Sequence, residues 1–238
     1  MKLGFLGTGT ISTAVVHALA PRAHQITVSE RSAANAASLS AAYPNVRVAD
    51  NAGVVAASQV LCLGLMPDTA RSLLPQLTFR ADQRIISFIA DLPLADLAAL
   101  VSPAEVVSLV LPFPAIAHTR SPLIAFPGAP LLDDLFREHD IFAMETEAEF
   151  SAMLAAQAVL SPVVQMLIEA SDWAATQGAD KTKAQDFLRS LIGANLSASP
   201  LAPLLASLST EGGYNARLRA HMEASGSFAS LKSGLDAL

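Results

Sequence analysis

A chain of 238 residues, 52% hydrophobic and 15% charged, is long enough to bury a large core and allows one or two domains. Its net charge of −6 gives none of the basic excess that nucleic acid or an anionic membrane attracts. A single cysteine, Cys62, excludes an intramolecular disulfide and a CxxC site, and the five histidines show no HxxxH or HxH spacing, so no metal is expected. No uninterrupted apolar run reaches the 18 or so residues of a membrane span, so no membrane partner is expected either.

The first 20 residues have two readings: a secretory signal, or the first strand, turn and helix of a nucleotide-binding domain. A signal core is continuous, whereas this apolar run is broken at Gly7-Thr8-Gly9-Thr10. The second reading is adopted, and with it a cytoplasmic location. "KLGFLG" is then a strand and residues 10–19 a helix. "HQITVSE" is a second strand, followed by a helix over 33–42. "NVRVAD", "SQVLCLGL", "QRIISFIA", "AEVVSLVLP", "SPLIAFPG" and "DIFAME" complete eight strands. The central runs are apolar throughout, as strands covered on both faces should be. Alternation with Ala-rich helices predicts βαβ units in a doubly wound, Rossmann-like parallel sheet.

Near residues 145–149 the strands stop. A helix is predicted over 150–177, kinked by Pro162, and another from Asp180 as N-cap to about 196. Shorter helices fit 201–208, 215–224 and 228–238. The expected organisation is an α/β domain over 1–147 and an all-helical domain over 148–238. The helices of the second carry Ala, Leu and Met on more than one face, which predicts burial against a second copy, as a homodimer or higher homo-oligomer.

In "GFLGTGTIS", Gly7 permits the tight turn after the strand and Gly9 lets the backbone approach a pyrophosphate seated on the following helix N-terminus. The third small position is Ser12. This pattern, between a strand and a helix, predicts dinucleotide binding. The second strand ends "SERS". A site for NAD(H) places a carboxylate at that tip, whereas Ser29, Arg31 and Ser32 suit a 2′-phosphate and hence NADP(H). NAD(H) stays open as the alternative.

The same residues resemble the pyrroline-5-carboxylate reductase family along almost the whole chain. "GFLGTGTIS" is similar to its phosphate loop and "SERS" to its 2′-phosphate pocket. "GLMP" (residues 64–67) resembles "AVKP", with Met66 in place of lysine, and Asn51 stands at the matching distance before it. "VLPFPA" is similar to a shortened "MPNTPA". In the helical half, "IEASDWAATQG" resembles the family's "IEALADAGVKLG". Of "GSGPAY" only Ser161-Pro162 is matched, one position out of register. "STEGGYNARLRAHMEASG" resembles "TSPGGTTIAGLxxLExxG", with Tyr214 and Asn215 in place of two threonines.

The resemblance implies NADPH-dependent reduction of a cyclic imine, pyrroline-5-carboxylate to proline. The implied cofactor contacts are Gly7, Thr8, Gly9, Thr10, Ile11, Ser29, Arg31, Ser32, Asn51, Leu65, Met66, Pro67 and Ala90. Substrate contacts are implied at Thr210, Gly212, Gly213 and Ser161, and catalytic contacts at Tyr214 and Asn215. The replaced motifs leave two alternatives: a related imine or keto-acid reductase with an altered pocket, and a non-catalytic NADP-binding sensor or partner-binding protein. His118, Arg120, Lys181, Lys183 and the "ETEAE" run are read as solvated surface.

Overall fold

The computed structural model describes residues 1–238, which divide into two units, Met1–Leu154 and Ala155–Leu238. Unit 1 carries the eight strands expected: β1 (Lys2–Leu6), β2 (Gln25–Ser29), β3 (Val46–Ala49), β4 (Val60–Leu63), β5 (Arg84–Ser87), β6 (Glu105–Leu111), β7 (Pro122–Phe126) and β8 (Asp140–Ala143). Between them run α1 (Thr10–Leu19), α2 (Ala33–Ala42), α3 (Asn51–Ala57), α4 (Pro67–Leu73), α5 (Leu94–Val101) and α6 (Pro130–Leu135); α7 (Glu147–Ala156) crosses the unit boundary.

The strands form one sheet in the order β3-β2-β1-β4-β5-β6-β7-β8. The order reverses between β1 and β4, which opens the ligand crevice of a doubly wound sheet at their carboxyl ends. Alternation along each strand feeds two cores. In β4, Val60 and Cys62 join the layer containing Phe5, Val15 and Leu19, while Leu61 and Leu63 join that containing Leu6, Val54 and Leu97. Both layers are buried, which is why these strands read as unbroken apolar runs. Each buried leucine or isoleucine contributes about 1.5–3 kcal/mol. Burial alone pushes the Cys62 thiol far above its ordinary pKa, so it is inert.

One expectation needs correction. The sheet is mixed, because β7 runs antiparallel to β6. The link between them, residues 112–121, holds only a short 3₁₀ turn (Pro114–Ala117). A parallel return needs a crossover of a dozen or more residues, usually a helix, and none is present there. β8 then pairs parallel to β7 through the α6 crossover.

Unit 2 is all helical, as predicted: α8 (Leu160–Thr176), α9 (Lys181–Ala198), α10 (Leu201–Ser207), α11 (Tyr214–Ala224) and α12 (Ser227–Leu235). The irregularity expected at Pro162 is a 3₁₀ turn at Gln157–Val159. Proline has no N–H to give the carbonyl four residues back, Ala158, and its ring crowds that carbonyl. α8 ends in a Schellman turn, with Gly178 N–H donating to Ala175 O (3.0 Å) and Ala179 N–H to Ala174 O (3.1 Å). Asp180 then caps α9, its Oδ1 accepting from Lys183 N–H at 2.8 Å.

Two features of the helices stand out, the first in line with their apolar faces and the second not foreseen. Within Ala155–Leu238 the sole fully buried residue is Ser171, while Trp173, Phe187, Leu196, Leu201 and Leu218 are exposed. Further, Glu147–Thr176 is a 30-residue helical stretch that holds an 18-residue window of mean hydropathy 1.6, long and apolar enough to cross a membrane by length and composition. Scattered polar residues hide it from a search for unbroken apolar runs.

Candidate functional site

The sequence-predicted residues of unit 1 converge on the carboxyl ends of β1 to β5. Gly7, Thr8 and Gly9 form the turn from β1 into α1, and Thr10 and Ile11 begin that helix. Ser29 ends β2, Ser32 caps α2 in position, Asn51 begins α3, Leu65 and Met66 follow β4, Pro67 opens α4, and Ala90 follows β5. Met66, where the lysine was expected, is 73% exposed.

The phosphate-loop geometry is set by contacts that only small residues allow. Gly7 has φ +90, and a Cβ there would lie 2.2 Å from the backbone oxygen of Gly64. A Cβ on Gly64 would lie 1.9 Å from Ser12 Oγ. The two loops therefore touch backbone to backbone, and the third small position is matched by a glycine just past the neighbouring strand. Around Gly9, by contrast, there is open space on the Cβ side.

Three hydrogen bonds fix this loop. Gly7 N–H donates to Ser29 Oγ at 2.8 Å, and Asn35 Nδ2 and Thr13 Oγ1 both donate to the Thr8 carbonyl, at 2.7 and 3.2 Å. Ser29 is completely buried. Its hydroxyl thus serves the loop, while Arg31 beside it is exposed and Ser32 half-buried. Asn35, which sequence reasoning missed, has no local signal: its role comes from a contact 27 residues away.

Two hydroxyls at the head of α1, Thr8 Oγ1 and Ser12 Oγ, are buried without any hydrogen-bond partner. An unpaired buried hydroxyl costs about 1–3 kcal/mol. Orphaned donors, a glycine with open space and the free N–H groups of a helix start together fit the pyrophosphate of a dinucleotide.

In unit 2, Gly213 is the N-cap of α11, with Thr210 O accepting from Gly213 N–H at 3.0 Å, and Gly212 has φ +73. Tyr214 and Asn215 form the first turn, and Tyr214 is 88% exposed. Asn215 lies at an apolar hollow of about 320 Å³ walled by Leu191, Ile192, Leu196, Leu204 and Leu208. Ser161 sits exposed in the first turn of α8.

The remaining polar candidates are accounted for locally. Arg120 makes a forked pair with Asp140, Nε donating at 3.0 and 2.9 Å, and this bonding raises the arginine's pKa and lowers the aspartate's. His118 and Arg120 border a polar groove with His17, Arg22 and His139. Arg22 is spent there on the Leu135 carbonyl and on Glu138, and burial lowers the pKa of His139. Glu147 and Glu149, read as solvated, have partners: Glu147 Oε1 accepts from Leu94 N–H at 2.8 Å, capping α5, and Glu149 Oε2 accepts from Glu145 N–H at 2.8 Å. Lys181 pairs with Asp172 at 2.6 Å, and Lys183 is exposed.

Against known proteins, residues 2–91 match the family described as NADP oxidoreductase, coenzyme F420-dependent. No curated protein matches the chain in sequence. Among solved structures, the chain is similar to pyrroline-5-carboxylate reductase from Streptococcus pyogenes (TM-score 0.86, 21% identity, covering 100% of this chain and 96% of that one). It is likewise similar to Plasmodium falciparum pyrroline carboxylate reductase with NADP bound (0.84, 17%, 100% and 95%). A reductive aminase from Aspergillus terreus in complex with NADPH and ethyl levulinate also matches (0.66, 19%, 90% and 78%). With residues 2–91 matching an NADP oxidoreductase family, the chain has, along its whole length, the fold of the pyrroline-5-carboxylate reductases.

Proposed function

We propose that this protein binds NADP(H) on the β1–α1 turn and reduces a cyclic imine of the pyrroline-5-carboxylate type. The observation that carries the reading is the pair of orphaned hydroxyls, Thr8 Oγ1 and Ser12 Oγ, at a helix N-terminus whose adjacent glycine leaves open space. The match to an NADP oxidoreductase family and the fold shared with NADP- and NADPH-bound reductases support it.

The nicotinamide supplies a hydride to an electrophilic carbon. The protein's part is to hold, orient and exclude water. N–H groups at Gly9 and the first turn of α1 take the pyrophosphate, and Arg31 takes the 2′-phosphate through its forked guanidinium. A protonated imine needs no strong acid or metal to accept a hydride. We assign its carboxylate to the N–H groups at the start of α11, after Gly212-Gly213, and its nitrogen to Asn215, whose amide can donate or accept. Tyr214 offers a hydroxyl beside it. Met66, Ala90 and Asn51 complete the cofactor's surroundings at the strand ends.

The assay is NADPH oxidation with pyrroline-5-carboxylate, in wild type and Asn215→Thr. Turnover by wild type is expected; Asn215→Ala should lower kcat/KM about tenfold or more, and Asn215→Thr should retain most of it. NADPH binding with no turnover by either protein on pyrroline-5-carboxylate or other cyclic imines would sink the reductase reading in favour of a cofactor-binding sensor. A second reading, a related imine reductase, is favoured by Tyr214 and Asn215 in place of the two threonines and by the likeness to the reductive aminase.

Cofactor choice has its own test. Arg31→Ala should weaken NADPH by about 10- to 100-fold, the loss of a charge-assisted forked contact, and NADH by less than threefold. Dissociation constants from fluorescence titration decide it; equal losses would remove Arg31 from the 2′-phosphate.

A further inference from the structure

Gly9 meets two opposed demands. With open space on its Cβ side, it lets a pyrophosphate come close. The same lack of a side chain leaves the peptide ahead of it free to turn over. Gly9 has φ −71 and ψ −177. Rotating the Thr8–Gly9 peptide by half a turn carries that φ into the positive range, which glycine accepts without a steric cost. The turned-over form is wrong for an anion. It aims the Thr8 carbonyl, the negative end of the peptide dipole, where an N–H is needed.

Two side chains hold the form that is present. The Thr8 carbonyl accepts from Asn35 Nδ2 at 2.7 Å and from Thr13 Oγ1 at 3.2 Å. The first is short for an N–H···O bond and the second long for an O–H···O bond, so Asn35 supplies most of the hold. Only the nitrogen end of its amide serves, because a carbonyl accepts and never donates. The peptide is planar and trans, so the Gly9 N–H points opposite to the Thr8 carbonyl, away from Asn35. That N–H has no acceptor within the chain. The Thr8 and Ser12 hydroxyls, each 1% exposed, have no partner either. Unpartnered donors gathered in residues 8–12 suit a ligand that accepts.

We propose that Asn35 is a positioning residue for the cofactor: its amide holds the Thr8–Gly9 peptide with the carbonyl turned away from the pyrophosphate and the N–H turned toward it. The inference rests on the cofactor reading and deepens it. Asn35 lies in the first turn of α2, outside the glycine-rich turn, and acts on the part of the ligand that NADPH and NADH share. Arg31 acts on the part they do not share.

Two variants test it. Asn35→Leu keeps the bulk and removes the donor. Asn35→Asp exchanges the amide nitrogen for an oxygen, and a carboxylate in the first turn of α2 suits the helix dipole, so the fold is kept. Both should weaken NADPH by about tenfold, and NADH by the same factor to within about twofold, in fluorescence titrations. The direct readout is the Gly9 amide in protein labelled with ¹⁵N-glycine, identified by its absence from Gly9→Ala. In wild type, NADP⁺ should move its proton resonance downfield, as a charge-assisted bond to an anion does. In both variants, at saturating NADP⁺, that shift should largely disappear. A residue that only braced the fold would lower Tm and leave the shift of the bound form intact. Wild-type affinity and a wild-type Gly9 shift in both variants overturn the proposal while the cofactor reading stands. A loss confined to NADPH overturns it too, and moves Asn35 to the 2′-phosphate. A wild type that binds neither cofactor sinks the cofactor reading, and this proposal with it.

Discussion

Gly7→Ala should lose NADPH binding by about 100-fold or more, equivalent to about 2.7 kcal/mol, and lower stability by about 2–4 kcal/mol. The reason is double. A side chain at φ +90 is strained whatever surrounds it, and the new Cβ would stand 2.2 Å from the Gly64 carbonyl oxygen, a backbone atom that cannot step aside. Gly64→Ala offers the sharper comparison. Its Cβ meets the side-chain oxygen of Ser12 at 1.9 Å, so pairing it with Ser12→Gly should restore most of the lost thermal stability. No second substitution of a side chain should rescue Gly7→Ala. Affinity need not return in the rescued double variant, because Ser12 Oγ is one of the hydroxyls assigned to the pyrophosphate. Thermal melts and fluorescence titrations of the four proteins check the set. Wild-type NADPH affinity in Gly7→Ala would remove the cofactor from this turn.

The protein should be a dimer at micromolar concentration, and separating the copies should unfold its helical half. Residues 155–238 bury one serine completely and no apolar side chain. A layer of helices without a core does not stand alone. A second copy is the occupant we assign, because the exposed apolar residues are spread over α8 to α12 rather than gathered in one stripe. Phe187→Glu with Leu191→Glu, four residues apart on α9 and both exposed, should give a monomer by light scattering and a large loss of helical circular dichroism. A wild-type monomer with full helix content would overturn this. Co-flotation of the wild type with lipid vesicles would instead assign the Glu147–Thr176 stretch to a membrane.

Most of the architecture was legible because unit 1 follows local rules. Strands covered on both faces leave unbroken apolar runs such as "VLCL", and α9 starts where Asp180 offers a cap oxygen that accepts the N–H three residues on. The direction of β7 was the miss. It depends on the absence of a crossover helix after β6, and "PFPAIAHTR" reads apolar enough to obscure that. Within the site, residue types announced the phosphate loop, but side-chain direction did not. Nothing local says that Ser29 turns toward Gly7, that Asn35 reaches Thr8, or that Glu147 caps a helix 53 residues earlier. Those contacts join segments distant in sequence, and only the folded sheet brings them together.

The bond from Gly7 N–H to Ser29 Oγ bears on how this protein can change. In many dinucleotide enzymes the tip of the second strand is a free dial: a carboxylate there selects one cofactor, its removal the other. Here the tip residue is sealed inside and also shapes the pyrophosphate turn. Exchanging it for a longer acid would disturb the grip on both cofactors at once. On the proposed assignment of the 2′-phosphate to Arg31, drift in cofactor preference, whether by natural variation or in the laboratory, is channelled to Arg31 and Ser32, two and three positions on along the chain. Selectivity and grip are physically uncoupled there.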